Sequence, residues 1–252
     1  MLEIDKDRLE YAKKVKNSES LDKLAKSFHK ETAELKYAYN YDWFGRPIIQ
    51  LPQDVVIMQE IIFDVKPDLI IETGVAHGGS LIFYSSMLHL LDLYESNKGN
   101  ISNERSVLGI DIKIHDHNKE FIQTHPFSDK ICLHESSSVC DSIKPFIDQA
   151  TKGKKSILVV LDSNHTEDHV YKELNMYSQF VSPNSYCVVF DSTIEDMPEE
   201  MFSNREWGPG NNPRTAVDKF LKENSDFILD ENVNNKPILT AAKGGFLKKL
   251  KV

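Results

Sequence analysis

Three scarcities in this chain each close off a class of function. No uninterrupted apolar stretch approaches the ~20 residues needed to cross a bilayer. The opening run, MLEIDKDRLEYAKKVKN, is charged where a secretion signal would be apolar. Neither a membrane partner nor export is expected, and the chain reads as cytoplasmic. Cysteine is sparse: Cys132, Cys140 and Cys187 form no closely spaced metal-type pair. An odd count suits free thiols in a reducing compartment, serving as small core residues. Positive charge is also short, with 30 Lys and Arg against 39 Asp and Glu and a net charge of -9. Surfaces that collect polyanions need clustered cations, so nucleic acid is not an expected partner.

What is present suits one sizeable core: 252 residues, 40% hydrophobic and 27% charged. Residues 1 to about 36 mix Lys, Glu and Asp with Leu, Tyr and Ala and contain no Pro or Gly, which predicts an amphipathic helix. The run Tyr39 to Pro47, rich in aromatics and turn formers, predicts an ordered loop. These segments form an N-terminal helical extension over residues 1–50. A helix from about Gln53 to Val65 ends before Pro67.

Beyond Pro67, strands and helices alternate. Strand-length apolar runs occur at Asp68 to Thr73, Ser106 to Ile112, Lys130 to Leu133, Ser156 to Leu161 and Ser185 to Phe190. Fainter ones lie at Phe227 to Leu229 and Ile238 to Leu250. Helical stretches fall near Ser80 to Tyr94, His117 to Thr124, Ser138 to Thr151, His165 to Phe180 and Pro213 to Glu223. Two polar insertions, Glu95 to Arg105 and Ser192 to Asn212, interrupt the pattern. The expected architecture over residues 51–252 is therefore α/β: a Rossmann-like, seven-stranded, mostly parallel sheet with helices on both faces.

The first strand delivers the loop Glu72-Thr73-Gly74-Val75-Ala76-His77-Gly78-Gly79-Ser80 at the carboxyl edge of the sheet, where doubly wound folds bind ligands. Glycine there permits a sharp turn and close ligand approach, and Ser80 is expected to cap the next helix. The loop is not GxGxxG, and Glu72 disfavours a pyrophosphate while suiting the sulfonium and ammonium of S-adenosylmethionine (SAM). Asp111, closing the second strand, can accept both ribose hydroxyls of a nucleoside ligand, NAD included. Glu72, Thr73, Gly74, Ala76, His77, Gly79, Ser80 and Asp111 are thus candidate cofactor residues. Ser136 and Ser137, after the third strand, are candidates for the adenine end, with plain surface serine as the alternative.

The loop, with Gly109-Ile110-Asp111, Leu161-Asp162-Ser163-Asn164-His165-Thr166, His169-Val170, Asn212-Pro213 and Ala216-Val217, resembles the cephalosporin hydroxylase and rhamnosyl O-methyltransferase family. The upstream pattern Trp43-x-Gly45-x-Pro47-x-x-Gln50-x-Pro52-x-Asp54 is similar to it as well. The resemblance, running from about Tyr41 to the C-terminus, implies a class I SAM-dependent methyltransferase acting on a hydroxyl of a sugar or sugar nucleotide, with Mg2+ assistance and a homo-oligomeric state. It also implies that His165, three residues beyond Asp162, acts as general base. The family's hydroxylase label and a non-catalytic SAM-binding partner are the alternatives, but no 2-His-1-carboxylate pattern stands out for iron.

Asp162 and Asp191 end apolar runs and should emerge beside the SAM loop, where two carboxylates can hold a hard cation such as Mg2+. Either acid could instead only cap the turn that follows it. The resemblance implies an acid where Phe190 stands, a departure at the metal site. Tyr41, Trp43 and Trp207 are candidate walls of the acceptor pocket, since aromatic faces suit sugar rings; packing is their alternative role.

Overall fold

A computed structural model describes residues 3–99 and 105–251. The N-terminal extension is two helices, α1 (Glu3–Lys16) and α2 (Glu19–Ala33), rather than one. Ser18 makes the break, its hydroxyl capping α2 by accepting from the Leu21 N–H at 3.4 Å. A short two-stranded ribbon follows, β1 (Asp42–Trp43) and β2 (Arg46–Pro47), then α3 (Pro52–Val65).

The remaining elements are β3 (Leu69–Thr73), α4 (Gly79–Ser96), β4 (Ser106–Asp111), α5 (Asp116–Thr124), β5 (Ile131–Glu135), α6 (Lys144–Thr151), β6 (Ile157–Leu161), α7 (Glu167–Tyr177), β7 (Tyr186–Val189), α8 (Pro213–Glu223), β8 (Phe227–Leu229), α9 (Glu231–Asn234) and β9 (Phe246–Lys249). The seven-stranded sheet has the order β5-β4-β3-β6-β7-β9-β8, with β9 antiparallel to both neighbours and the other pairings parallel. This is the expected seven-stranded, mostly parallel α/β sheet. The long final strand expected over Ile238 to Leu250 shrinks to β9. In the first polar insertion, α4 continues to Ser96, and residues 100–104 lie outside the described part.

The central strands read as unbroken apolar runs because both faces are covered. Ile70, Val107, Leu158, Val160 and Val188 pack beneath α3, α4 and α5. Their alternates Ile71, Leu108, Val159 and Val189 pack against α6, α7 and α8. Cysteine follows the core expectation only at Cys187; Cys132 is exposed and Cys140 partly so.

Asp54, fully buried in α3, ties the C-terminal segment to this core. Its carboxyl takes the Thr240 hydroxyl at 2.5 Å and the Ala241 N–H at 2.8 Å. The Ala241 carbonyl in turn accepts from the Thr193 N–H at 3.2 Å, so this anchor reaches the loop after β7. Burial, more than any neighbour, pushes the Asp54 pKa up to about 7. The folded protein therefore takes up a proton between an ordinary value near 3.8 and about 7, and Asp54's contribution to stability falls as pH climbs through that window. Asp54→Ala, which strands the Thr240 and Ala241 donors, should cost on the order of 2–4 kcal/mol in denaturant unfolding. Asp54→Asn should gain on wild type as the pH of the same measurement is raised from about 5 to about 8.

Candidate active site

Parallel register assembles the site. Thr73 pairs with Ile110 on one side and Leu161 on the other, so the loops after β3, β4 and β6 leave the sheet at one edge. The Asp162 N–H donates to the Thr73 carbonyl at 2.9 Å, and the Phe190 N–H to that of Leu161 at 3.0 Å. Successive strand ends are stitched directly together.

The glycines of the loop make room for protein before ligand. A Cβ on Gly74 would lie 2.0 Å from the Asp162 carbonyl oxygen, and one on Gly79 would lie 2.1 Å from that of Pro47. Gly74 lets β3 and β6 end side by side, and Gly79 lets the β1–β2 ribbon sit on the start of α4. Ser80 does not cap α4; Gly78 occupies the N-cap, and the Ser80 hydroxyl donates to Glu72 Oε2 at 2.7 Å. Glu72 is buried beneath the loop instead of facing the cavity, and burial first of all raises its pKa to about 8.

Asp111 shapes the loop, accepting the Val75 N–H at 2.8 Å and the Ala76 N–H at 3.4 Å on Oδ2. Ala76 adopts a left-handed φ of 45° and is held there. Asn118 donates to its carbonyl at 2.9 Å. Arg46, stacked over Phe121 at 4.4 Å, bonds both the His77 carbonyl and the Asn118 amide oxygen. Arg46 and Asn118 were missed from the sequence. Arg46 lies inside the upstream pattern, but nothing in spacing pairs it with a residue 72 positions on.

On the other side of Gly74, Asp162, His165 and Asp191 converge, each offering a ligand atom within 4.8 Å of the others. His165 Nε2 lies 3.1 Å from Asp191 Oδ2, and the ring meets Trp207 edge-on with centroids 5.0 Å apart. Asp191 has a left-handed φ of 55°. Neither acid caps the turn that follows it: α7 starts from Thr166, whose N–H is held by Asn164 at 2.9 Å, and the turn after Asp191 has no side-chain cap. Burial, then the negative fields of Asp191, Glu72, Glu173 and Asp54, drives the Asp162 carboxyl well above the usual carboxylate range. Phe190, where the resemblance implies an acid, is 2% exposed and packs in the apolar core. His169 orients neighbours: its Nε2 lies 3.1 Å from the Ser138 and 3.3 Å from the Ser163 hydroxyl.

A cavity of about 700 Å3 opens on this edge. Gly74, Ala76, His77, Ser80, Asp162, His165, Asp191 and Trp207 line it. Glu72, Thr73, Gly79, Asp111, Ser136 and Ser137 lie outside its wall; Ser136 sits beside Asp111, its N–H on the Asp111 carbonyl at 2.8 Å. Tyr41 and Trp43, expected as wall residues, do not line the cavity. Tyr41 bonds the Tyr37 hydroxyl, and Trp43 donates to Ser86 at 3.0 Å while packing edge-on against Phe83 in the core. The aromatic wall comes instead from Tyr37 and Tyr39, beside His29 and Thr32 of α2. The helix is held over the cavity by Lys243, which pairs with Asp22 at 2.8 Å and with Asp196 at 2.7 Å. Amphipathic spacing showed a covering face on this helix without saying what it covers.

The Rhamnosyl O-methyltransferase/CmcI family model matches residues 35–250. The chain belongs to this family. Among curated relatives, the Rhamnosyl O-methyltransferase of Mycobacterium leprae is 27% identical over 231 residues, 90% of each chain. That of Mycobacterium bovis is 28% identical over 193 residues, 75% of this chain and 70% of its own. Of solved structures, apo CmcI superposes with a TM-score of 0.55 at 15% identity, covering 85% of this chain and 78% of that one. The O-methyltransferase TomG from Streptomyces achromogenes in complex with SAM gives 0.54 at 15% identity, covering 94% and 91%. At such identities the structural likeness concerns the fold. Among the described residues, no helix is long and apolar enough to cross a membrane.

Because the Gly74 contact is backbone on backbone, Gly74→Ala cannot be relieved by a rotamer change. It should cost about 3 kcal/mol, lowering the thermal midpoint by roughly 6–12 °C in a calorimetric scan.

Proposed function

We propose that this chain transfers the methyl group of SAM to a hydroxyl of a sugar or sugar-bearing small molecule. The observation that carries the reading is the meeting of Asp162, His165 and Asp191 with the Gly74–Ser80 loop in one cavity. The relatives' name, Rhamnosyl O-methyltransferase, supports a sugar hydroxyl as acceptor, and so do the aromatic faces of Tyr37, Tyr39 and Trp207.

The sulfonium is already an activated donor, so positioning supplies much of the rate. The acceptor oxygen attacks the methyl carbon in line as the carbon–sulfur bond breaks, and S-adenosylhomocysteine (SAH) leaves. His165 takes the hydroxyl proton on its free ring nitrogen, while Asp191 at Nε2 orients the ring and stabilises the imidazolium that forms. Asp162 lies beside both, and a cation such as the sulfonium favours the ionised form of its buried carboxyl. Trp207 on the His165 edge restricts water. The ribose and adenine go to Asp111, with Ser136 and Ser137 beside it, at the rim outside the cavity wall. The extension over residues 1–50 contributes the acceptor wall.

The donor set also fits a divalent cation, because two carboxylate oxygens and an imidazole nitrogen lie within 4.8 Å of one another amid uncompensated negative fields. Asp162 and Asp191 would hold such an ion, which supplies Lewis-acid polarisation of the acceptor oxygen.

In calorimetry, SAM should bind with micromolar-class affinity, and a thermogram with no SAM heat removes the proposal. In a labelled-methyl assay over rhamnosides and nucleotide sugars, His165→Ala should lose about 10²-fold or more in turnover and keep its SAM affinity within about twofold. Full turnover in that variant at neutral pH contradicts the base assignment. Mg2+ titrated in the presence of SAM should give a binding signal that Asp162→Asn abolishes.

A further inference from the structure

Glu173 is a buried carboxyl that the chemistry above does not use. It is fully buried in α7, beside the apolar contacts that Val170 and Leu174 make with the core. A carboxyl at such a place costs stability that a Leu would not, unless its hydrogen bonds do something in return. The Ser163 hydroxyl donates to Glu173 Oε1 at 2.7 Å. Ser163 directly follows Asp162, in the same turn between β6 and α7 that carries His165. Ser163 lines the cavity and Glu173 does not, so Glu173 stands behind the turn.

The contact is one rung of a polar stripe. His169, Glu173 and Tyr177 follow one another at intervals of one helical turn along α7, which places them on one side of it. His169 Nε2 lies 3.5 Å from Glu173 Oε1, 3.1 Å from the Ser138 hydroxyl and 3.3 Å from that of Ser163. The Tyr177 hydroxyl donates to the Ser138 carbonyl at 2.8 Å. Ser138 lies in the turn after β5 and Ser163 in the turn after β6. In the sheet those two strands are separated by β4 and β3, so no strand-to-strand ladder joins their ends. The stripe on α7 bridges that gap. The two ends of the β6–α7 turn have their own anchors, Asp162 N–H on the Thr73 carbonyl and Thr166 on Asn164, while its middle is held through Ser163.

We propose that Glu173 is a positioning residue for the methyl transfer. By holding the Ser163 hydroxyl it fixes the turn that sets Asp162 and His165 against Asp191, and with His169 and Tyr177 it fixes the distance of that turn from the one after β5. The proposal rests on the methyl-transfer reading and deepens it. A shift of about 1 Å in a reacting group can cost on the order of 10²-fold in rate, so a residue that touches neither substrate nor cofactor can still govern turnover.

The test is the labelled-methyl assay over rhamnosides and nucleotide sugars, run well below the lowest melting midpoint, with kcat, KM, calorimetric Kd for SAH and a thermal melt for each protein. Glu173→Leu, which fills similar space without an acceptor, should lose about tenfold to hundredfold in kcat while KM and the SAH Kd stay within about threefold. Glu173→Gln keeps an acceptor for Ser163 and should hold kcat within about threefold of wild type. Adding Ser163→Ala to Glu173→Leu should lower kcat little further, since the two side chains act as one unit. A kcat for Glu173→Leu within about twofold of wild type overturns the assignment whatever its melting temperature, and so does a Gln variant as impaired as the Leu variant. Should Glu173→Leu not fold, Ser163→Ala decides: a lower kcat at unchanged SAH affinity supports the assignment, and an unchanged kcat overturns it. Wild type that binds SAH and methylates none of the acceptors overturns the methyl-transfer reading and this assignment together, a result distinct from impaired variants of an active wild type.

Discussion

The contact of Gly74 with the backbone carbonyl of Asp162 is the constraint on which the rest of the site depends. β3 lies between β4 and β6, and only a residue without a side chain at position 74 lets the ends of β3 and β6 stay in contact. That contact brings the loop after β3 and the acid after β6 into one cavity. Asp111, Asn118 and Arg46 then clamp the loop from the far side at its left-handed residue. The loop after β3 is thus built by the sheet and braced by the β1–β2 ribbon.

Charge is the second organising force. Asp54, Glu72, Asp162, Asp191 and Glu173 act on one another across the base of the cavity, and burial raises the proton affinity of the first three. Such a cluster is costly unless a cation or protons compensate it. A sulfonium, an ammonium and a divalent ion are the species that relieve it, and each fits the proposed chemistry. Asp54 also has a mechanical task, linking α3 through Thr240 and Ala241 to the loop that follows Asp191.

Much of the fold was legible because its signals are local. The doubly covered strands appear as apolar runs, and the acids that end them, Asp111, Asp162 and Asp191, follow directly from strand length. His165 was legible from its spacing after Asp162, through the family resemblance. What escaped the sequence depends on pairings far along the chain. Trp43 had the composition of a sugar platform but found Phe83 and Ser86. Ser80 had the chemistry of a cap but found Glu72. The helical pattern of the first 36 residues was right in period, yet Ser18 splits it, because a hydroxyl can satisfy the N–H groups of a new helix at little cost. Arg46 and Asn118 carry no local signal for their pairing, since it arises only when the ribbon folds back onto α4.

The proposed chemistry requires one placement: cofactor sulfur beside the Asp162–His165–Asp191 cluster. A crystal structure of the complex with SAH tests it most directly. The sulfur is expected to face that cluster, with the ribose hydroxyls at Asp111 and the loop from Gly74 to Ser80 unchanged in path. Density for SAH elsewhere on the molecule, or with its sulfur turned away from His165, would contradict it.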